Sequence, residues 1–298
     1  MVVRYWPGGT PPLNPPALGW IPSPWTPPVA YRQFHEAVSR AQLAAWLPRG
    51  RKLLVDISGP RAESAEFAAR AGHTVVRVLD AREVRRGAVP QVRARGVWGE
   101  ASPQVRARGV WGEASPQVGK GHEPGLSRKA PGRLRTVVGD TSRLAFLPDG
   151  CVDGVIAGDR ALSTHLVAES MVAQIARVLR PGGRVLASVD SLVLGMSVLA
   201  DQHHWQHLAD LPHAEVVLIP WADGTITRCY GPDQLRELFA GAGLTISWMR
   251  PLTVFSQSTV THLLRRDPDS LPRLVSAEMR ARADEATGSQ LVVSAHKP

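Results

Sequence analysis

The residues from Arg51 to Asp80, RKLLVDISGPRAESAEFAARAGHTVVRVLD, leave this chain few folds to choose from. Lys52 to Ile57 is a short apolar run of the kind a parallel strand buried on both faces shows, and it ends on an acid followed by a turn at Ser58, Gly59 and Pro60. Ala62 to Ala71 follows with strong helix formers, and Gly72 stands where a helix needs a left-handed C-terminal residue. His73 to Leu79 is rich in β-branched residues and Asp80 closes it. Strand, turn, helix and strand make a βαβ unit, and an open α/β sheet builds its nucleotide site at the carboxyl end of the first such strand.

The same alternation returns at Leu134. LRTVVGD reads as a strand ending on Asp140, and VDGVIAG from Val152 as another buried strand. Ser163 to Leu179 carries apolar residues at helical spacing, and Arg180 to Gly183 turns the chain into the strand RVLASVD. A less regular stretch, 191–230, holds His203, His204, Trp205, His207 and His213 and is expected to cap the sheet. Asp233 to Ala242 reads as a short helix, Leu244 to Met249 as a strand, Leu263 to Ala286 as charged helix, and SQLVVSAHKP as a final strand. Alternating strands and helices make a parallel sheet with right-handed crossovers the economical topology.

Two segments break this pattern. Residues 1–30 hold nine prolines interleaved with Trp6, Trp20 and Trp25, a composition that forbids helix and favours extended chain. Three tryptophans are costly to leave in water, so this arm is expected to pack on the domain, 31–298, or to lid its pocket. Between the second and third strands, QVRARGVWGEASP occurs at 91–103 and again, unchanged, at 104–116. Two copies of so short a unit cannot stack into a stable array. Residues 82–132 therefore read as a basic, mostly disordered surface insertion.

Charge follows that insertion. Of the formal +9, a net +8 lies between Ala81 and Arg135, where twelve Arg or Lys face four Glu. The rest of the chain is close to neutral, which argues against nucleic acid as a partner. Cys151 and Cys229 are the only cysteines, without the spacing of a disulfide framework or a metal site. No metal is expected: the 203–207 histidines have helical spacing, but no nearby Cys completes a ligand set. The longest apolar run, Leu192 to Ala200, is too short to span a membrane, and the N-terminus lacks the pattern of a signal peptide. A cytoplasmic protein that neither enters nor crosses a membrane is the expectation; oligomeric state is open.

VVGDTSRLAFLPDGCVDGVIAG, ARVLRPGGRVLAS and YGPDQLRELFAGAGL, in this order after the first βαβ unit, resemble the class I S-adenosylmethionine-dependent methyltransferases of the small-molecule type. The resemblance implies a Rossmann-like α/β fold, a mostly parallel seven-stranded sheet with helices on both faces and an antiparallel last strand. It implies S-adenosylmethionine as cofactor and a small-molecule acceptor. Carried over by resemblance, Asp140 accepts from the adenine amine, with the Thr141 amide facing the ring. Asp80 holds the ribose hydroxyls. Ala157 and Gly158 offer backbone to the methionine end, and Asp56, with the turn at Ser58 and Gly59, holds the cofactor's amino group. His165, beyond the fourth strand, is the candidate catalytic base, and Trp205 and Trp221 are candidates to line an aromatic acceptor pocket.

The departure lies in the first turn. The family pattern sets glycines two, four and six residues after the first-strand acid; here those positions are Ser58, Pro60 and Ala62. Proline cannot adopt the left-handed geometry such a loop uses. The loop is therefore expected to follow another path, or the cofactor to sit differently, and a methyltransferase-like protein that has lost its cofactor and serves as a binding or scaffold protein is the alternative reading.

Overall fold

The computed structural model describes residues 28–59, 63–80, 132–201, 216–221, 225–281 and 288–298, with residues 203, 205, 208, 211 and 214 between them. The proline-rich arm up to residue 27, the tandem repeat, Pro60 to Ala62, and His204, His207 and His213 lie outside the described residues.

The first unit forms as its sequence dictates. Strand β1 (Leu53–Asp56) and strand β2 (Thr74–Leu79) flank helix α2 (Ser64–Arg70), and the two strands pair in parallel, Leu53 with Thr74 through Asp56 with Arg77. β3 (Arg133–Val138) lies outside β2 as a largely exposed edge strand. β4 (Val152–Ala157) lies on the other side of β1, and β5 (Leu179–Ser191) beyond β4, all parallel. The last strand, β9 (Gln290–His296), runs antiparallel to β5 and pairs on its far edge with β8 (Thr245–Pro251). Seven strands run in the order β3-β2-β1-β4-β5-β9-β8, mostly parallel with the antiparallel last strand expected. A further hairpin brings the sheet to nine strands where seven were expected.

Helices cover both faces because neighbouring strand residues point to opposite sides. Leu54 and Ile156 pack under α1 (Val29–Trp46) and α2 with Leu43, Trp46, Ala65 and Ala68. Val55 and Val155 face the other way, against Val172 and Ile175 of α4 (Ala168–Val178) and Phe239 of α6 (Pro232–Gly241). On the first side, Tyr31, Phe34 and Val38 of α1 also meet Val260 and Leu264 of α7 (Gln257–Arg266), next to α8 (Leu271–Arg280).

Three expectations need correction. The helix read over Ser163 to Leu179 is two helices, α3 (Ala161–Thr164) and α4. The Ala161 carbonyl accepts both the His165 ring Nδ1–H and the Thr164 hydroxyl, which closes the first turn, and His165 is extended. The Arg180 to Gly183 turn is drawn into β5: Gly182 takes φ +74°, and the Gly182 amide and Gly183 carbonyl pair with Lys297. The 191–230 stretch is more than a cap. After α5 (Leu192–Asp201), β6 (Val217–Pro220) and β7 (Ile226–Tyr230) form a hairpin whose second strand joins the sheet, Asp190 with Cys229 and Ser191 with Tyr230. Leu194, Val198, Val217, Ile219 and Trp221 make that hairpin's own small core.

Candidate functional site

Because β1 to β5 are parallel, their carboxyl ends share one edge, and Asp56, Ser58, Gly59, Asp80, Asp140, Thr141, Ala157, Gly158 and His165 lie along it. At the tip of β1 the Asp56 carboxylate is 2 % exposed. One oxygen accepts the Ser58 amide at 2.8 Å and the other the Ser64 hydroxyl at 2.5 Å, the first residue of α2. Burial pushes the Asp56 carboxyl above the usual range, and the Ser64 and Ser58 hydrogen bonds oppose that shift. Gly59 follows at φ +92°, a geometry that costs a side-chain-bearing residue about 1–2 kcal/mol. The one glycine of this turn therefore stands where the backbone needs it.

The Ser58 Oγ accepts the Gly158 amide at 2.8 Å, joining the tips of β1 and β4. A Cβ at position 158 would come within 3.1 Å of that oxygen, so Gly158 is what lets the side chain in. At the other end of the edge, Leu79 is buried inside β2 and Asp80 is half-buried just past its end. Asp140, beyond β3, is exposed and accepts the Ser142 amide and hydroxyl on one oxygen. Its slight burial favours the neutral acid, but the Ser142 bonds and nearby Arg143 hold it below the usual carboxylate range.

Thr141 is buried, and its hydroxyl lies 3.1 Å from His165 Nε2. The Ala161 carbonyl 2.9 Å from His165 Nδ1 can only accept, so Nδ1 carries the proton in the neutral ring and Nε2 receives the Thr141 hydroxyl. His165 thus bridges the β3 and β4 ends with its basic nitrogen turned toward the edge.

Beside His165 lies a polar cluster that sequence reading did not find. Asp159 and Arg160, just past β4, are both left-handed, at φ 48° and 61°. Two such side-chain-bearing residues in succession mark a strained tip of the kind that gathers at functional sites. The Arg160 amide donates to Ser188 Oγ at 3.1 Å, and its guanidinium lies 3.5 Å from Asp190 Oδ2, an ion pair without close hydrogen-bond geometry. Asp190 is wholly buried; burial raises its pKa, opposed by Arg160, the Thr227 hydroxyl and Gln290. Thr227 in turn accepts Trp221 Nε1–H at 2.9 Å, and Gln290 Oε1 accepts the ring N–H of His35 at 3.0 Å. Trp221 is therefore buried packing with one directed bond, whereas Trp205 is 60 % exposed.

With that geometry in place, residues 118–187 match the family model described as a methyltransferase domain. This segment, which runs through β3 and β4 into β5, is thus similar to a methyltransferase domain. Solved structures of similar fold include a methyltransferase from Methanosarcina mazei, at 16 % identity and TM-score 0.49 over 86 % of this chain and 96 % of that one. Another is a methyltransferase from Mesorhizobium loti, at 14 % identity and TM-score 0.48 over 89 % and 100 %. A third, at 16 % identity and TM-score 0.46 over 92 % and 80 %, is the Burkholderia thailandensis 1,6-didemethyltoxoflavin-N1-methyltransferase with bound 1,6-didemethyltoxoflavin and S-adenosylhomocysteine. No curated protein matches the sequence.

The strand tips can be tested for their fit to S-adenosylmethionine, the cofactor that the resemblance implies. The nucleoside end fits: carboxylates stand at the ends of β2 and β3, Asp80 and Asp140, at the spacing of two adjacent strands. The methionine end fits by backbone alone. Asp56 and Ser58 are spent on each other, on Ser64 and on Gly158, whose amide is thereby taken and whose carbonyl accepts the Ala161 amide. The left-handed turn at Gly59 and the remaining acceptor capacity of the Gly158 carbonyl are left to meet a ligand. The signal for Asp190 in the sequence was thin, a strand-final acid in an apolar run, while Arg160 and His35 carried none.

Proposed function

We propose that this methyltransferase domain transfers the methyl group of S-adenosylmethionine to a small-molecule acceptor held between the tips of β4 and β5. The Arg160–Asp190 pair carries the reading. A buried acid fixing a cation on a strained strand tip, close in the chain to His165 and next to the cofactor edge, offers a fixed polar anchor to a small acceptor.

In this reading Asp80 and Asp140 hold the ribose and adenine, with Thr141 backbone against the ring, and Gly59, Ala157 and Gly158 present backbone to the methionine end. Asp56 and Ser58 fix the turn from behind. Bound S-adenosylmethionine supplies an electrophilic methyl group, so the protein's task is chiefly in-line positioning of the acceptor. His165 Nε2 takes the acceptor's proton where it must lose one, after release of the Thr141 hydroxyl. Helix α1 places Tyr31 and His35 at this end of the sheet, through Thr253 and Gln290.

The Ser58–Gly158 bond favours a second reading, a binding protein on the same fold, because it fills with a side chain a gap the family pattern leaves to glycine. Methyl transfer from labelled S-adenosylmethionine into a small-metabolite fraction, with nucleic acid and protein fractions run in parallel, tests the proposal. Label in the small-molecule fraction alone supports it. Label confined to macromolecules, or none despite cofactor binding, turns the choice to another acceptor class or to the binding protein.

A further inference from the structure

A groove of about 660 Å³ lies on the α1 face of the sheet, over the start of β5, the end of β9 and the middle of β8. It sits at the opposite end of the strands from the cofactor edge, since Arg184 is near the amino end of β5 and Asp190 at its carboxyl end. A volume of this size suits a small molecule. Its walls are two stacked pairs: the Arg184 guanidinium lies 5.1 Å from the Trp46 ring centre, and that of Arg250 lies 4.9 Å from Trp248.

These arginines lack the acids that half-buried cations ordinarily have. Among the described residues no carboxylate comes within ion-pair distance of either. Glu278 is near enough to act on Arg250, but its two oxygens accept the Val254 and Phe255 amides. Burial lowers the pKa of both guanidinium groups, most plainly for Arg184, where nothing opposes it.

The groove also holds buried polar atoms without partners. Trp46 is 3 % exposed and its Nε1–H has no acceptor; Arg250 Nε–H has none either. Gln42 is 4 % exposed, gives its amide hydrogens to the Leu252 carbonyl, and leaves its Oε1 unpaired. Buried polar groups are ordinarily satisfied, so three around one groove mark its lining as incompletely satisfied. Two guanidinium groups in one groove, Arg184 with no carboxylate near it and Arg250 with only the shared Glu278, favour acceptor oxygens with negative charge, and the guanidinium–indole pairs favour a flat ring beside it.

We infer that this groove binds a small organic anion built on a flat ring, its carboxylate-type oxygens received by the Arg184 and Arg250 guanidinium groups and its ring laid against the tryptophan–arginine pairs. The site is separate from the strand-tip pocket and does not depend on the methyl-transfer reading.

Calorimetric titration of the full chain with 2-naphthoate tests it, with 2-naphthamide as the uncharged control and inorganic phosphate as the ringless anion. The expected result is saturable 2-naphthoate binding, unchanged by saturating S-adenosylhomocysteine, much weaker for both controls, and weakened at least tenfold in Arg184→Gln and in Arg250→Gln. Both positions are partly exposed, so folding of the variants is checked by circular dichroism, and either one suffices. Absence of saturable binding, equal binding of a control, full affinity in a folded variant, or displacement by S-adenosylhomocysteine would overturn the inference.

Discussion

Ser58 Oγ accepts the Gly158 amide across the tips of β1 and β4, and through Asp56 the same knot reaches the first turn of α2. The turn that lost its family glycines is thus held by side chains where its relatives use bare backbone. Ser58→Ala leaves the Gly158 amide without its acceptor and is expected to cost about 1–3 kcal/mol, the penalty of an unmade buried hydrogen bond. Urea denaturation at neutral pH reads it; an unchanged midpoint would mean water replaces the hydroxyl.

Removing Arg160 isolates Asp190. Arg160→Gln is expected to destabilise the fold by about 3 kcal/mol, the low end for breaking one side of a buried pair, because the arginine itself is partly exposed. Pairing it with Asp190→Asn removes the stranded charge and should recover most of the loss. A double variant no more stable than the single one would show that the pair matters only through its shape.

The pH dependence of stability has two opposed parts. Burial, against the Gln290 bond and Glu36, holds the His35 pKa below its ordinary value, helped by Arg160. The unfolded chain therefore binds this proton first: the contribution is whole above about pH 6.5 and declines as pH falls from there toward the depressed folded value. Asp190 runs the other way, since its raised pKa makes the folded state gain relative stability as pH falls toward about 3.9. His35→Gln should flatten the loss between about pH 6.5 and 5 in a denaturation series. A variant as acid-sensitive as the parent there would assign the loss elsewhere.

His165 and Thr141 give a paired test. If His165 Nε2 takes the acceptor's proton, His165→Gln slows transfer by about 10²-fold or more, within the range of general-base catalysis, while S-adenosylhomocysteine affinity holds. Thr141→Val frees the same nitrogen and should leave the rate equal or higher. A loss in Thr141→Val as large as in His165→Gln would make the bond itself the functional feature.

The sheet was legible because its strands are short apolar runs closed by acids or glycines, as at Asp56, Asp80 and Asp140, and parallel strands need crossovers of the lengths present. The alternation gave the parallel sheet, and the resemblance gave its antiparallel last strand. The β6–β7 hairpin was not legible: histidines and prolines blur its period, and its core of Leu194, Val217 and Trp221 is built from its own segment. Positions in the site were easier to read than roles. Asp56, Ser58, Gly59, Asp80, Asp140, Thr141, Ala157, Gly158 and His165 do share one edge, but only coordinates show that the Asp56 oxygens point inward. The Arg160–Asp190 contact joins two strand tips through a left-handed backbone that no residue type announces.

The central claim is that this edge still receives the cofactor despite Ser58, Pro60 and Ala62. Thermal unfolding with and without S-adenosylhomocysteine addresses it most directly, repeated with Asp80→Ala and Asp140→Ala. At 100 times its dissociation constant a single-site ligand adds about 2.7 kcal/mol, or about 5–10 °C for a domain of this size, and the account predicts that rise, reduced in both variants. No shift in the parent protein at millimolar S-adenosylhomocysteine would contradict it.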